Sequence, residues 1–333
     1  MKIISGDIGG TNARLMLVDI TNHSRVIEAE KNYHTSDFSK LSEIIKLFID
    51  EHNIILPVFS VCLAVAGPVI SGVATITNLS WRISEAELKT ILQTKNAKLI
   101  NDFIAVAYAI PELKDTDILT LHKGSSNNKS NAFKSAAVVG AGTGLGAAHL
   151  IFIDGTLLPL SSEAGHAGFA PENSLQTRLL SWMLSEHNHV SLEMILSGKG
   201  LVTIYQFLKQ VEGIPESVEI QAAMLCNDSA QVISDYGKNN KDLLCQKTLE
   251  CFVEIYGAAA GNIVLHYLPV DNLYIAGGIA GKIINKISEP RFLTAFFNKG
   301  MMSANMRKIS VNVVLQDKAG LYGALAYGIS VFG

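Results

Sequence analysis

The chain has 333 residues, of which 48% are hydrophobic and 17% charged. That composition excludes a disordered protein and exceeds one comfortable core, so two well-buried domains are expected. A net charge of −3 and an isoelectric point of about 6.3 leave no electrostatic footprint for a nucleic-acid partner.

The elements follow in chain order. Residues 2–7 and 14–20 are apolar, β-branched runs around a Gly-Gly-Thr-Asn turn, which predicts a hairpin. Residues 41–54 carry helical spacing at Leu41, Ile44, Ile45, Phe48 and Ile49. Residues 59–66 form a continuous apolar strand that stops at Gly67-Pro68. Ser84-Glu85-Ala86-Glu87 has capping-box spacing and opens a helix. A short strand at 98–100 leads into a helix over 102–110. This alternation argues α/β.

The polar stretch 124–131 reads as a surface loop. After it, 136–140, a glycine-rich turn and 147–153 repeat the strand–turn–strand layout of the N-terminus. Helices are predicted over 175–185, 192–195, 200–210, 218–225 and 243–268. Strands 273–276 and 309–315 follow, and then a C-terminal apolar helix. Packing that helix back on the first domain makes the domain discontinuous, with boundaries at 1–111 plus 317–333 against 112–316.

Other features exclude more than they assign. The apolar stretch 258–268 is broken by Gly261, Asn262 and His266 and is too short to span a bilayer. The N-terminus lacks the pattern of a signal peptide. Cys62, Cys226, Cys245 and Cys251 form no CxxC pair and read as reduced thiols. The expectation is a cytoplasmic protein with no membrane partner. His187 and His189, at i and i+2, do not share a helix face and read as surface residues.

Five segments carry chemistry. In Gly6-Asp7-Ile8-Gly9-Gly10-Thr11, a glycine-rich hairpin turn leaves backbone N–H groups free to approach a polyphosphate, and Thr11 adds a hydroxyl. Asp7 cannot bind phosphate directly, because like charges repel. It makes sense with Mg²⁺ or its water shell between them. In Gly140-Ala141-Gly142-Thr143-Gly144-Leu145-Gly146, alternating glycines again suit close backbone approach. Neither GxGxxG nor GxxxxGK[ST] spacing fits, which excludes a Rossmann turn and a P-loop.

Asn101-Asp102 follows a short strand. Asp102 is either the carboxylate that accepts an alcohol proton or a plain helix cap. Glu163-Ala164-Gly165-His166 offers a carboxylate and an imidazole to a polar ligand, or is a solvated turn; one Glu and one His make zinc improbable. Glu193, taken alone, is an ordinary first-turn acid. Ile275-Ala276-Gly277-Gly278-Ile279 lets a flat base lie on backbone, or is simply a strand-to-helix turn.

Taken in order, Asp7–Arg14, Thr77-Asn78-Leu79-Ser80-Trp81, Ile100-Asn101-Asp102-Phe103, the second glycine loop, the segment from Glu163 to Pro171, Leu196-Ser197-Gly198 and Ile275–Ile279 resemble the bacterial glucokinase family over nearly the whole chain. The resemblance implies a two-domain actin-like/hexokinase (ribonuclease H-like) α/β fold with an interdomain active-site cleft. It also implies a homodimer, ATP with Mg²⁺, and phosphorylation of glucose at its 6-hydroxyl, the first step of glycolysis.

By the same resemblance, Gly6, Asp7, Ile8, Gly9, Gly10 and Thr11 form one ATP phosphate loop. Gly140, Gly142, Thr143 and Gly144 belong to the other, and Gly277 and Gly278 to the adenosine site. Asp102 is the general base. Asn101, Glu163, His166, Glu193 and Asn78 join it in binding the sugar. Gly168 departs from the family, which often carries an acid or another residue there. The zinc-binding cysteine cluster of the related repressor/kinase (ROK) group is absent.

Overall fold

A computed structural model of the chain describes residues 1–21, 24–76, 79–125, 135–153 and 156–333. Asn78, and residues 126–131 of the polar stretch, lie outside the described residues. The chain divides into two compact units, Met1–Lys114 with Gln316–Gly333, and Asp115–Leu315.

The first unit opens with β1 (Lys2–Ile8), β2 (Asn12–Thr21) and β3 (Ser24–His34), then α1 (Leu41–Glu51) and β4 (Ser60–Val65). A small antiparallel sheet of β5 (Val69–Ile70), β6 (Val73–Ile76) and β7 (Trp81–Ser84) leads to α2 (Glu85–Ile91), β8 (Asn96–Asn101) and α3 (Asp102–Ala109). Ser84 Oγ accepts from Glu87 N at 3.2 Å, which makes the serine the helix cap that its spacing predicts.

The second unit runs β9 (Ile118–His122), β10 (Ser135–Ala141), β11 (Leu145–Ile153), β12 (Thr156–Ser162), α4 (Ser174–Leu184), α5 (Gly198–Gln210), α6 (Val218–Cys226), α7 (Ser229–Lys238) and α8 (Leu243–Tyr267). It continues through β13 (Asn272–Ala276), α9 (Gly278–Lys282), α10 (Ile284–Ile287), α11 (Pro290–Phe297), α12 (Ser303–Met306) and β14 (Ser310–Val314). The last helix, α13 (Ala319–Phe332), belongs to the first unit.

The main sheets share one plan. The first unit orders its strands β3-β2-β1-β4-β8, and the second β12-β11-β10-β13-β14-β9. In both, an antiparallel hairpin is extended by parallel strands on the side of its first strand. Alternation along β1 sends side chains to opposite faces. Ile4 and Ile8 join Ile44, Ile45 and Phe48 of α1, whereas Ile3 meets Leu321 and Leu325 of α13. A Cβ on Gly323 would strike the Ala105 carbonyl of α3, so α13 and α3 pack backbone to backbone.

One expectation fails. Residues 192–195 make a single turn, not a helix: Ile195 N and Leu196 N both donate to Leu192 O, at 3.0 and 2.7 Å, while Leu192 N and Glu193 N donate outward to Ala167 O and Gly165 O, each at 2.9 Å. The apolar stretch 258–268 is only the end of α8, a helix of 25 residues that is long and apolar enough to cross a membrane. Its most apolar window is 78% buried inside the protein, which makes it a core helix here. Gly257 and Gly261 let it approach the Phe292 and Phe296 carbonyls of α11.

Candidate active site

The first glycine loop is the β1–β2 turn. Gly9 N donates to Asn12 O at 2.9 Å and closes it. Thr35, only 1% exposed, braces it from outside: its N donates to Thr11 O at 3.0 Å and its Oγ1 to Gly10 O at 2.7 Å. With these carbonyls bound elsewhere, the turn presents N–H groups, the arrangement an anion needs. Gly6 and Ile8 sit differently. Gly6 is a packing glycine, since an added Cβ would lie 2.5 Å from Leu63 Cδ2, and the Ile8 side chain is wholly buried.

Asp7 is the last polar residue of β1, opposite Arg14 on β2. Burial raises its pKa, and the Arg14 guanidinium pulls against that rise. Arg14 is itself held by the segment before α13: its Nη1 donates to Asp317 O at 2.5 Å, and its Nη2 lies 3.5 Å from Asp317 Oδ2. The first turn of α13 abuts the Asp7 carboxylate, so that a Cβ on Gly320 would lie 2.9 Å from Oδ2. The positive end of a helix dipole favours a carboxylate there.

Asn101 and Asp102 join β8 to α3. The cap is Asn101, whose Oδ1 accepts from Phe103 N at 2.9 Å and Ile104 N at 3.3 Å while its Nδ2 donates to Gly67 O at 3.3 Å. Asp102 is therefore not needed as the cap, although its Oδ1 also accepts from Phe103 N at 2.9 Å. Burial, reinforced by the negative charge of Asp7, pushes the Asp102 carboxyl up to about 7 against the pull of Phe103 N–H and the Asn101 side chain. A carboxyl poised near neutrality is suited to proton transfer.

The second unit gathers three more segments. In its glycine loop, Gly142 N donates to Gly144 O at 2.8 Å, and Ala141 N to the buried Tyr256 hydroxyl at 3.1 Å. Gly140 pairs across the ladder with Gly146, and Thr143 sits at the turn. Glu193 is more than a first-turn acid. Its Oε2 accepts from Leu145 N at 3.0 Å, and its backbone N binds Gly165 O, tying the loop to the 163–166 turn. On that turn Glu163 and His166 are exposed, with Oε2 and Nε2 3.9 Å apart. The His166 carbonyl is bound by His189 Nε2 at 3.0 Å. Gly168 bridges Ser191, and a Cβ there would meet only His189 Cε1 at 3.8 Å, so glycine is not sterically required.

Gly277 takes φ +86°, and a Cβ on it would reach the Ala141 carbonyl oxygen at 2.5 Å. Glycine is required there to bring β13 into α9 beside the loop. Arg14, Thr35, Tyr256 and His189 support the site without an assignment from sequence. Their signal is pairing across the fold, which no local motif carries.

Two glycine-turned hairpins, each extended by parallel strands, together with a carboxylate at a strand-to-helix junction, define an ATP-dependent sugar kinase of the actin-like ATPase fold. A glucokinase family model matches residues 4–330. A glucokinase from Nostoc sp. is 39% identical, with 97% of each chain covered. The crystal structure of glucokinase from an Antarctic psychrotroph matches with TM-score 0.81 and 34% identity over 99% of both chains. A ROK family glucokinase from Streptomyces griseus, solved with glucose and AMPPNP, shares the fold at TM-score 0.66 and 18% identity, covering 97% of this chain and 98% of that one. The chain belongs to the glucokinase family.

Proposed function

We propose that the chain transfers the γ-phosphoryl group of ATP to the 6-hydroxyl of D-glucose, giving glucose 6-phosphate and ADP. The observation that carries this reading is the Asp102 carboxyl, held at the start of α3 with its pKa raised to about 7. Asp102 takes the O6 proton as O6 bonds to the γ-phosphorus. The bond from that phosphorus to the β,γ-bridging oxygen breaks, and ADP leaves with the electron pair. Asn101, Glu163, His166, Glu193 and Asn78 bind the sugar, and a misplaced hydroxyl leaves one of them unpaired.

Gly10 and Thr11, with Gly6, Ile8 and Gly9 shaping their strand and turn, donate to phosphate from the first unit. Thr143 and Gly144 do so from the second, with Gly140 and Gly142 shaping their turn, and Gly277 with Gly278 receives the adenosine. Asp7 offers oxygen ligands only and is desolvated, which fits Mg²⁺ held through water by a carboxylate and completed by substrate phosphates. When bound, Mg²⁺ offsets charge on the transferring group. From the family resemblance the proposal extends to a cytoplasmic homodimer.

The test is ADP release by the full chain across a panel of hexoses, with Asp102→Ala beside it. Glucose-dependent ADP release is expected, and the variant should keep glucose binding while losing about three or more powers of ten in kcat. ATP hydrolysis equal with and without sugar, or near-normal turnover in the variant, overturns the reading.

A further inference from the structure

Beside the second glycine loop, two glycines face open space. A Cβ on Gly142 or on Gly278 would meet nothing within 4 Å. Gly277, next to Gly278, lies against the Ala141 backbone next to Gly142. Two helices stand close to the loop. α5 enters through Gly198, whose N–H donates to Gly142 O at 2.9 Å. α7 stands next to it, with Ala230 Cβ 3.9 Å from the position of a Gly198 Cβ.

The next residue on α7 is Gln231, and its side chain spans to α9. Its Oε1 accepts from Lys282 Nζ at 3.1 Å. Lys282 stands four residues after Gly278, on the same helical face. On the other side, Gln231 Nε2 donates to Asp235 Oδ2 at 2.9 Å. The ammonium and the carboxylate fix which way the amide points. Each end of the amide retains one function, a lone pair on Oε1 and an N–H on Nε2.

We propose that Gln231 reads the adenine of the nucleotide, with Lys282 and Asp235 as positioning residues. The proposal rests on the ATP reading above. A carboxamide with one free donor and one free acceptor complements adenine, whose N6 donates and whose N7 accepts along one edge. Guanine presents two acceptors on that edge, O6 and N7, and would set O6 against Oε1. The open space over Gly142 and Gly278 leaves room for a base beside this edge. It follows that the chain prefers ATP to GTP and that one side chain sets the preference.

The test measures kcat/KM for ATP and for GTP at saturating glucose in the parent, Gln231→Ala, Gln231→Glu and Lys282→Ala. Gln231→Ala should lower the ATP-to-GTP ratio by about ten-fold or more, through the nucleotide KM, with the glucose KM unchanged. Gln231→Glu keeps the shape but has no donor for N7 and should behave alike. Lys282→Ala frees the amide to flip and should give a smaller fall, which Lys282→Arg restores. A parent without ATP preference, or a ratio unchanged in both Gln231 variants, overturns the proposal. Failure of the ATP reading itself looks different: the parent then releases neither ADP from ATP nor GDP from GTP, and adenine recognition falls with it.

Discussion

The two glycine-turned hairpins occupy the same place in two sheets of the same plan, yet they are chemically unlike. In the first unit the ladder position before the turn pairs Asp7 with Arg14; in the second it pairs Gly140 with Gly146. The first hairpin thus carries a desolvated carboxylate and a guanidinium, and the second carries none. Their bracing differs too, Thr35 holding one turn by carbonyls and the Tyr256 hydroxyl holding the other by an N–H. One scaffold gives an acidic lobe suited to proton transfer and a cation, and a neutral lobe suited to close backbone approach. The contrast lies in a few side chains, not in topology.

The largest expected effect is in the acidic lobe. Asp102→Asn should lower kcat by about a thousand-fold or more, read as ADP release, whereas Gly140→Ala in the neutral lobe should act mainly on the ATP KM. Equal loss of kcat in both would erase the contrast. Next is the α3–α13 crossing: Gly323→Val forces the helices apart at Ala105 and should destabilise the fold by about 1–3 kcal/mol or more, seen in urea melts. Tyr256→Phe leaves Ala141 N without its buried acceptor and should cost about 1–3 kcal/mol, with a higher KM for ATP and little change in the glucose KM.

The pH dependence follows from the sign of the Asp102 shift. Its carboxyl is raised to about 7 from an ordinary 3.8, so the folded state holds this proton more tightly than the unfolded chain. Its contribution to stability is present below the ordinary value and is lost as pH rises through about 7. The thermal-melt gap favouring Asp102→Asn over the parent should therefore open between about pH 4 and 8, reaching a few degrees. Activity runs the other way: the base must be ionised, so kcat/KM for glucose should climb up to about pH 7 and then level. The smallest effect is expected at Gly168→Ala, where an added methyl finds only ordinary contact; unchanged glucose kinetics would check it.

Local patterns were most legible where chemistry and geometry coincide over a few residues. Gly9-Gly10-Thr11 and Gly142-Thr143-Gly144 marked both turns, and the Ser84 spacing marked its cap. Asn101 shows the limit. Its side chain was open to read as a sugar ligand and Asp102 as the cap; Asn101 is the cap because it stands just before the first helical residue and its Oδ1 reaches both Phe103 N and Ile104 N. Glu193 shows another. A helix-like run at 192–195 is a single turn closed on Leu192 O, and its Leu192 and Glu193 N–H groups tie it to Ala167 and Gly165. Strand β3, mostly exposed, has too little apolar alternation to stand out, and α7 lacked a run long enough to be read.

The amino-acid sequence alone specified the two hairpins, the strand-to-helix junction bearing Asp102 and the absence of Rossmann and P-loop spacings, because each depends on neighbouring residues and backbone sterics. Only the tertiary structure decided what surrounds them. It set Arg14 and the α13 terminus beside Asp7, Tyr256 beneath Ala141, and Gln231 between Lys282 and Asp235. Those pairings join residues far apart in the chain, so burial and charge at each group are properties of the fold. The raised pKa of Asp102 is the clearest case, since it comes from desolvation and from a carboxylate that sequence distance separates widely.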